Sequence, residues 1–178
     1  MTYHFKLWLV SLKHYVLMCF FRSGPDNLPA SIHSILFSLF AYCLIGFSLI
    51  DEQHSYAAII QQIAIELGLL SGFIYVGLKW KNLLFRLPQA FSALLGINMI
   101  VSIVGILVYH ALIDAYGSAA EGDLDRNVLN AELLIVFWNL SVMSMVLKQV
   151  LDINTLLAAM ISFNYFMVYQ FLIVWLVL

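Results

Sequence analysis

Five long apolar runs, separated by short charged segments, occupy most of the chain after its first 31 residues. A helix needs about 20 mostly apolar residues to cross the hydrocarbon core of a bilayer. The run at 133–147 has only 15 residues between Glu132 and Lys148, but the charge distribution supports counting it as a span. The pattern predicts an all-α integral membrane protein with five transmembrane helices in one membrane domain over residues 1–178. The predicted spans cover residues 32–50, 57–78, 89–113, 133–147 and 153–178.

A more polar segment precedes the first span and has the character of an amphipathic helix. Over residues 5–21, a helical projection places Lys6, Ser11 and Lys13 within about half of the wheel, and apolar side chains largely fill the rest. A cationic amphipathic helix lies in the membrane interface and is attracted to the anionic lipids of the inner leaflet. We therefore predict a cationic interfacial helix here. The alternative, an additional span, would place most of the positive charge outside.

Composition narrows the class of protein. Apolar residues make up 63% of the chain and charged residues 10%, with a mean hydropathy of +0.97. An ordinary soluble domain has about 25% charged residues, so this chain has too few to coat a water-soluble globule. Its net charge of −2 provides no basic field for a nucleic acid. Two cysteines cannot build a disulfide framework, and we expect Cys19 and Cys43 to be buried thiols.

The distribution of charge predicts an orientation. With the N-terminus in the cytoplasm, the cytoplasmic segments would be residues 1–31, 79–88 and 148–152, and they hold seven of the eight Lys and Arg residues. The remaining one, Arg126, falls in a segment that is otherwise acidic. Because positive charge is enriched on the cytoplasmic side of membrane proteins, we predict a cytoplasmic N-terminus and a C-terminus outside.

Glu66 is the outstanding polar residue, because it lies near the middle of the second span, where a charge costs at least about 2–3 kcal/mol. Gln62 lies one turn earlier on the same helix face. Asn98, Asn139 and Asn164 each lie near the middle of their own span. We expect these five residues to form a polar intramembrane layer that faces other helices rather than lipid.

Three roles remain open for Glu66. A protonated carboxyl group could hydrogen-bond to an Asn or Gln on a neighbouring helix. The side chain could instead meet a cation from a partner subunit, since no predicted span contains Lys or Arg. It could also handle protons or cations itself. The first interpretation is the one we favour.

Other motifs add little chemistry. Gly68 and Gly72 form a small-xxx-small pair that we expect to pack against another helix of the bundle. Residues 114–130 are predicted to form a solvated acidic loop rather than a calcium site, because the glycine and distal Glu of a calcium loop are missing. The five histidines are scattered along the chain, so we predict no metal site. We also predict no cofactor and no catalytic residues.

Short motifs in this layout carry a family resemblance. They lie at residues 22–31, 84–88, 136–140 and 154–159. Together with five closely spaced helices after an amphipathic segment, they resemble the Yip1-type family of small five-span membrane proteins, and in particular its proteobacterial inner-membrane members. The resemblance implies a five-span fold in the bacterial inner membrane. The GTPase-binding N-terminal region of the eukaryotic members has no counterpart here.

Two functional hypotheses follow. The preferred one is a non-enzymatic accessory or scaffolding subunit of a membrane complex, whose partners are the lipid bilayer and either another membrane protein or a second copy of the chain. The alternative is a small proton- or ion-coupled transport protein that uses the intramembrane carboxyl group of Glu66. Neither hypothesis involves nucleic acid.

Overall fold

A computed structural model describes residues 2–29, 31–48, 56–116 and 121–176. Their longer elements are six α-helices, and no strand occurs in these ranges, so the predicted all-α class is confirmed there. Four helices (α3 to α6) are long and apolar enough to cross a membrane, whereas α2 is a shorter apolar helix of 17 residues. The helices are α1 (Thr2–Cys19), α2 (Ile32–Ser48), α3 (Tyr56–Trp80), α4 (Leu87–Tyr116), α5 (Glu121–Leu151) and α6 (Thr155–Leu176).

The fifth helix is much longer than the sequence pattern predicts. It has 31 residues, and its apolar part, Arg126–Leu151, has 26. The prediction of a 15-residue span was wrong because it let Glu132 and Lys148 end the helix, whereas both are exposed positions within it. The predicted acidic loop at 114–130 is wrong for the same reason: α4 continues to Tyr116 and α5 already begins at Glu121.

Three connecting segments, at residues 20–29, 81–86 and 152–154, meet at one end of the helix bundle. Arg86 Nη1 donates to the carbonyl oxygen of Gln149 at 3.0 Å, and Gln89 Nε2 donates to that of Leu28 at 3.0 Å. These bonds connect the ends of helices that are far apart in sequence. We call this the basic end of the bundle, because it carries Lys79, Lys81, Arg86 and Lys148.

Residues with positive φ end three of the helices. Phe21, Asn82 and Asp152 have φ of 60°, 58° and 51°, and they lie one or two residues after the last residue of α1, α3 and α5. A left-handed residue after a helix lets the next amide bond back to a carbonyl of the last turn. After α3, for example, the Leu83 amide donates to the Leu78 carbonyl at 2.8 Å.

Helix α1 runs in the same direction as α2. Ser11 Oγ lies 3.2 Å from Ser34 Oγ, and one turn later Tyr15 Oη lies 2.7 Å from Ser38 Oγ. The contacts therefore follow the same order along both helices. At the far end of α1, Trp138 Nε1 donates to the Cys19 carbonyl at 2.9 Å. Helix α1 thus enters the bundle from the basic end, and residues 20–29 return towards the start of α2.

The burial pattern of α1 differs from the predicted interfacial helix. Its buried face contains Ser11, Tyr15, Met18 and Cys19. The exposed positions include the charged Lys6 and Lys13 but also the apolar Leu9, Val10 and Val16. The sequence projection had separated charged from apolar positions. In the structure both kinds share the exposed surface, because polar Ser11 and Tyr15 are what dock the helix.

Helix α4 forms the centre of the core. Residues 92–97 are buried at six consecutive positions, so this part of the helix is enclosed on every side. Small side chains at Ala90, Ser92 and Ala93 allow close approach of neighbouring helices. The ring of Tyr15 lies directly against Gly96, where an added Cβ atom would overlap it. The Tyr15 hydroxyl lies 2.6 Å from Ser92 Oγ, and Tyr15 is 1% exposed.

Candidate functional site

Glu66 lies where α2, α3 and α6 meet. Tyr169 Oη, on α6, donates to Glu66 Oε2 at 3.4 Å, and Gln62 Nε2 donates to the same hydroxyl at 3.5 Å. Tyr42, on α2, also approaches the Glu66 carboxyl group. Tyr165 approaches the same carboxyl from α6, one turn before Tyr169. We call these five residues the carboxyl–tyrosine cluster.

Helical spacing explains how the cluster forms. Gln62 and Glu66 are four residues apart on α3, and Tyr165 and Tyr169 are four residues apart on α6, so each pair lies on one face of its helix. The pair on α3 faces the pair on α6, so each helix contributes two polar side chains to the contact between them. Phe73 extends this contact, because its ring centroid lies 5.1 Å from that of Tyr165.

The chemistry of the cluster is that of a carboxyl group held by hydroxyls. The described partners of Glu66 are the tyrosines at 42 and 169 rather than cations. Donor–acceptor distances of 3.4 and 3.5 Å are long for hydrogen bonds and indicate weak ones. The hydroxyl of Tyr165 is buried and has no hydrogen-bond partner among the described residues. The cluster therefore retains unused hydrogen-bonding capacity inside the bundle.

The three asparagines do not join this cluster. Asn98 is half-buried on α4 and Asn164 is exposed on α6. The Oδ1 atom of Asn139, on α5, is buried and has no hydrogen-bond partner within the described ranges. The structure thus brings together Gln62 and Glu66 from the predicted polar layer. Because no described helix of this chain covers Asn164, the expectation that it faces a helix rather than lipid stays a prediction.

The glycine pair on α3 does not pack within the bundle. Gly68 and Gly72 are both exposed, and an added Cβ atom at either position would meet no described atom within 4 Å. The prediction of a packing contact inside the bundle was therefore wrong. Both residues lie on the outward side of α3, because the inward side is taken by buried residues such as Leu70, Ile74 and Leu78.

Sequence reasoning missed the tyrosines at 42, 165 and 169, which supply the hydroxyls around Glu66. A signal was present, because tyrosine in a membrane protein is enriched at the two interfaces, whereas these three lie well inside apolar runs. Tyrosine away from an interface needs a partner for its hydroxyl. Glu66 is the acidic residue at comparable depth.

Metal ligands and thiols form no cluster in the part of the chain that the structure describes. No group of three His, Cys, Asp or Glu residues there is arranged to hold a metal ion. Cys19 is buried, as expected, while Cys43 is only half-buried, and both are free thiols. Asp123 and Asp125, which resembled the start of a calcium loop, belong to α5.

Comparison of the chain with protein-family models, with curated proteins and with solved structures gave no match. The resemblance to the Yip1-type family therefore remains a prediction from short motifs and the spacing of apolar runs.

Proposed function

We propose that this protein is a multi-pass protein of the bacterial inner membrane with five spans and a cytoplasmic N-terminus. Support for a fifth span comes from α2, which runs antiparallel to α3. Gly46 of α2 lies against Ile63 of α3, since an added Cβ atom at Gly46 would lie 2.9 Å from Ile63 Cδ1. Tyr42, four residues earlier in α2, reaches Glu66, which is three residues later in α3. The contacts therefore follow opposite orders along the two helices. The basic end of the bundle is then the cytoplasmic end, and the C-terminus lies outside.

Within this membrane, we propose a non-enzymatic role as an accessory or scaffolding subunit that binds another transmembrane helix. Asn164 carries the proposal. It is exposed near the middle of α6, among exposed apolar neighbours that include Met160, Phe163, Met167 and Val168. An amide facing lipid cannot form hydrogen bonds there, whereas an amide facing a polar group of another helix can. A partner helix over this surface would supply the hydrogen bonds that the Asn164 amide cannot form with lipid.

The outward-facing glycines on α3 offer a second place for close helix approach. Gly68 and Gly72 are one turn apart and leave the backbone uncovered by side chains. A small-xxx-small pair allows two helices to approach closely in a membrane. The partner, another membrane protein or a second copy of the chain, has outward surfaces available on both helices.

The test is association in membranes with Asn164 changed. The protein is extracted in mild detergent with its partners, and complexes are counted by co-purification and by single-molecule photobleaching in nanodiscs. We expect Asn164→Leu to lower the complexed fraction about threefold to fivefold, corresponding to one interhelical hydrogen bond, while Asn164→Gln retains it. Met167→Leu, an apolar exchange one turn away, is the matched control. A wild-type protein that is monomeric and purifies alone would contradict the proposal.

A second candidate function, proton or ion coupling, is favoured by the unused hydrogen-bonding capacity around Glu66. The buried Tyr165 hydroxyl beside this carboxyl has no described hydrogen-bond partner. The two functions separate in proteoliposomes loaded with a pH-sensitive dye. A proton flux that Glu66→Gln abolishes, and that Asn164→Leu leaves unchanged, would establish coupling as the function and exclude a purely scaffolding role.

A further inference from the structure

An apolar cleft lies between α3, α5 and α6 near the basic end of the bundle. Its volume is about 450 Å³, and its walls are formed mainly by apolar side chains such as Phe73, Leu147, Leu157 and Ile161. This volume lies within the range of about 300–1,000 Å³ that small-molecule sites occupy. Neither Asn164 nor Glu66 lines it, and it adjoins the carboxyl–tyrosine cluster only where Phe73 meets Tyr165.

The cleft has a closed end and a charged end. At the inner end Phe73 packs against Tyr165, which joins α3 to α6. Towards the end of α3, Trp80 and Lys81 line the cleft, and Trp80 is 83% exposed. Leu147, at the back of the cleft, is 1% exposed, so α5 forms a fixed wall.

The cleft is somewhat shorter than one leaflet of a membrane. Phe73 and Trp80 are seven residues apart, which is about 10 Å along a helix. One leaflet contributes about 15 Å of hydrocarbon, so the cleft covers about two-thirds of its depth. Tryptophan characteristically lies at the level of the headgroups, and the exposed Lys81 is its neighbour at the same end of the cleft.

We propose that the α3–α6 cleft binds one acyl chain of an anionic phospholipid, whose phosphate lies beside Lys81. Apolar side chains of three helices contact the acyl chain, and Lys81 selects the negatively charged headgroup. Basic sites between transmembrane helices on the cytoplasmic side are a recurring mode of anionic lipid recognition. The site does not depend on the scaffolding role, since its residues are distinct from the outward surface around Asn164.

Native mass spectrometry of the delipidated full chain, titrated with lipid in detergent, tests the proposal. The probes are phosphatidylglycerol and phosphatidylcholine with identical acyl chains. We expect wild type to retain phosphatidylglycerol preferentially. Lys81→Gln should reduce this retention about fivefold, because one lysine beside an anionic headgroup contributes favourable electrostatic binding energy of that size. Lys13→Gln, which removes an exposed lysine of α1, is the matched control and should leave retention unchanged.

Two further measurements distinguish binding through the acyl chain from binding through the phosphate. Leu157→Trp places a larger side chain in the cleft and should reduce retention of phosphatidylglycerol, while the thermal melting of the variant reports whether it folds. Inorganic phosphate at millimolar concentration should not displace the lipid if the acyl chain provides most of the binding. Equal retention of both lipids, displacement by inorganic phosphate, or unchanged binding in a folded Leu157→Trp variant would overturn the proposal.

Discussion

Two polar clusters join helices in this protein, and they differ in how tightly they are built. The Tyr15 hydroxyl lies 2.7 Å from Ser38 Oγ and 2.6 Å from Ser92 Oγ, which are ordinary distances for bonds between hydroxyls. In the carboxyl–tyrosine cluster, the bonds from Tyr169 to Glu66 and from Gln62 to Tyr169 are 3.4 and 3.5 Å long. The first cluster is compact, and the second is near the limit of hydrogen bonding.

The cluster with the shorter contacts is also the more enclosed of the two. Tyr15 is enclosed by α2 and α4 and rests on Gly96. The helices that hold Glu66 carry exposed positions close by, including Gly68 on α3 and Asn164 on α6. This comparison indicates that α1, α2 and α4 supply the stable part of the bundle. The longer contacts lie on the α3–α6 side, where we propose that another helix and a lipid bind.

The strongest test of the compact cluster is to fill the space beside Tyr15. Gly96→Leu should destabilise the protein by about 3 kcal/mol or prevent folding, because the new side chain overlaps a buried ring in a close-packed core. Gly105→Leu is the matched control on the same helix, since an added Cβ atom there meets no described atom within 4 Å. Unfolding in detergent with added SDS measures both. Equal stability of the two variants would contradict the packing described for Tyr15.

Removing single hydroxyls compares the two clusters directly. Tyr15→Phe should cost about 1–2 kcal/mol, because it leaves Ser38 and Ser92 without their shared partner. Tyr169→Phe should cost no more than about 0.5 kcal/mol, because its bonds are long. The same SDS titration reports both values. The comparison fails if Tyr169→Phe proves the more destabilising change.

The inner end of α1 gives a local test of docking. Trp138→Phe removes the donor to the Cys19 carbonyl and should cost about 1 kcal/mol. In a Cys43→Ala background, the buried Cys19 thiol should then react several-fold faster with a membrane-permeant maleimide. Trp80→Phe, at an exposed position, is the control. Fast labelling of Cys19 in the unmodified background would show that α1 is not held in the bundle.

The smallest effect is expected at Glu66. Glu66→Gln should change stability by no more than about 0.5 kcal/mol at neutral pH, because an amide oxygen still accepts a hydrogen bond from Tyr169. Thermal melting in detergent measures the difference, with Gln62→Glu as a comparison that adds a second carboxyl group. A loss of several kcal/mol in Glu66→Gln would mean that the carboxylate is charged and paired with a cation outside the described residues.

The sequence alone was sufficient for the features that depend on composition and on residue spacing along one helix. Long apolar runs predicted the helices now seen as α3, α4 and α6, because a membrane span is set by local hydrophobicity and length. The clustering of Lys79, Lys81 and Arg86 in one short segment was also visible before the fold was known. The face shared by Gln62 and Glu66 follows from their spacing of four residues.

The partners of each polar side chain were decided only by the tertiary structure. Glu66 contacts tyrosines of α2 and α6 instead of the asparagines at matching depth. The rotation of each helix about its axis determines which residues face each other, and the apolar runs in the sequence do not reveal that rotation. The same rotation turns Asn164 and Gly68 outward. Docking of α1 through Tyr15 likewise depends on the small residues Ser92 and Gly96 of α4, which lie more than 70 positions away in the chain.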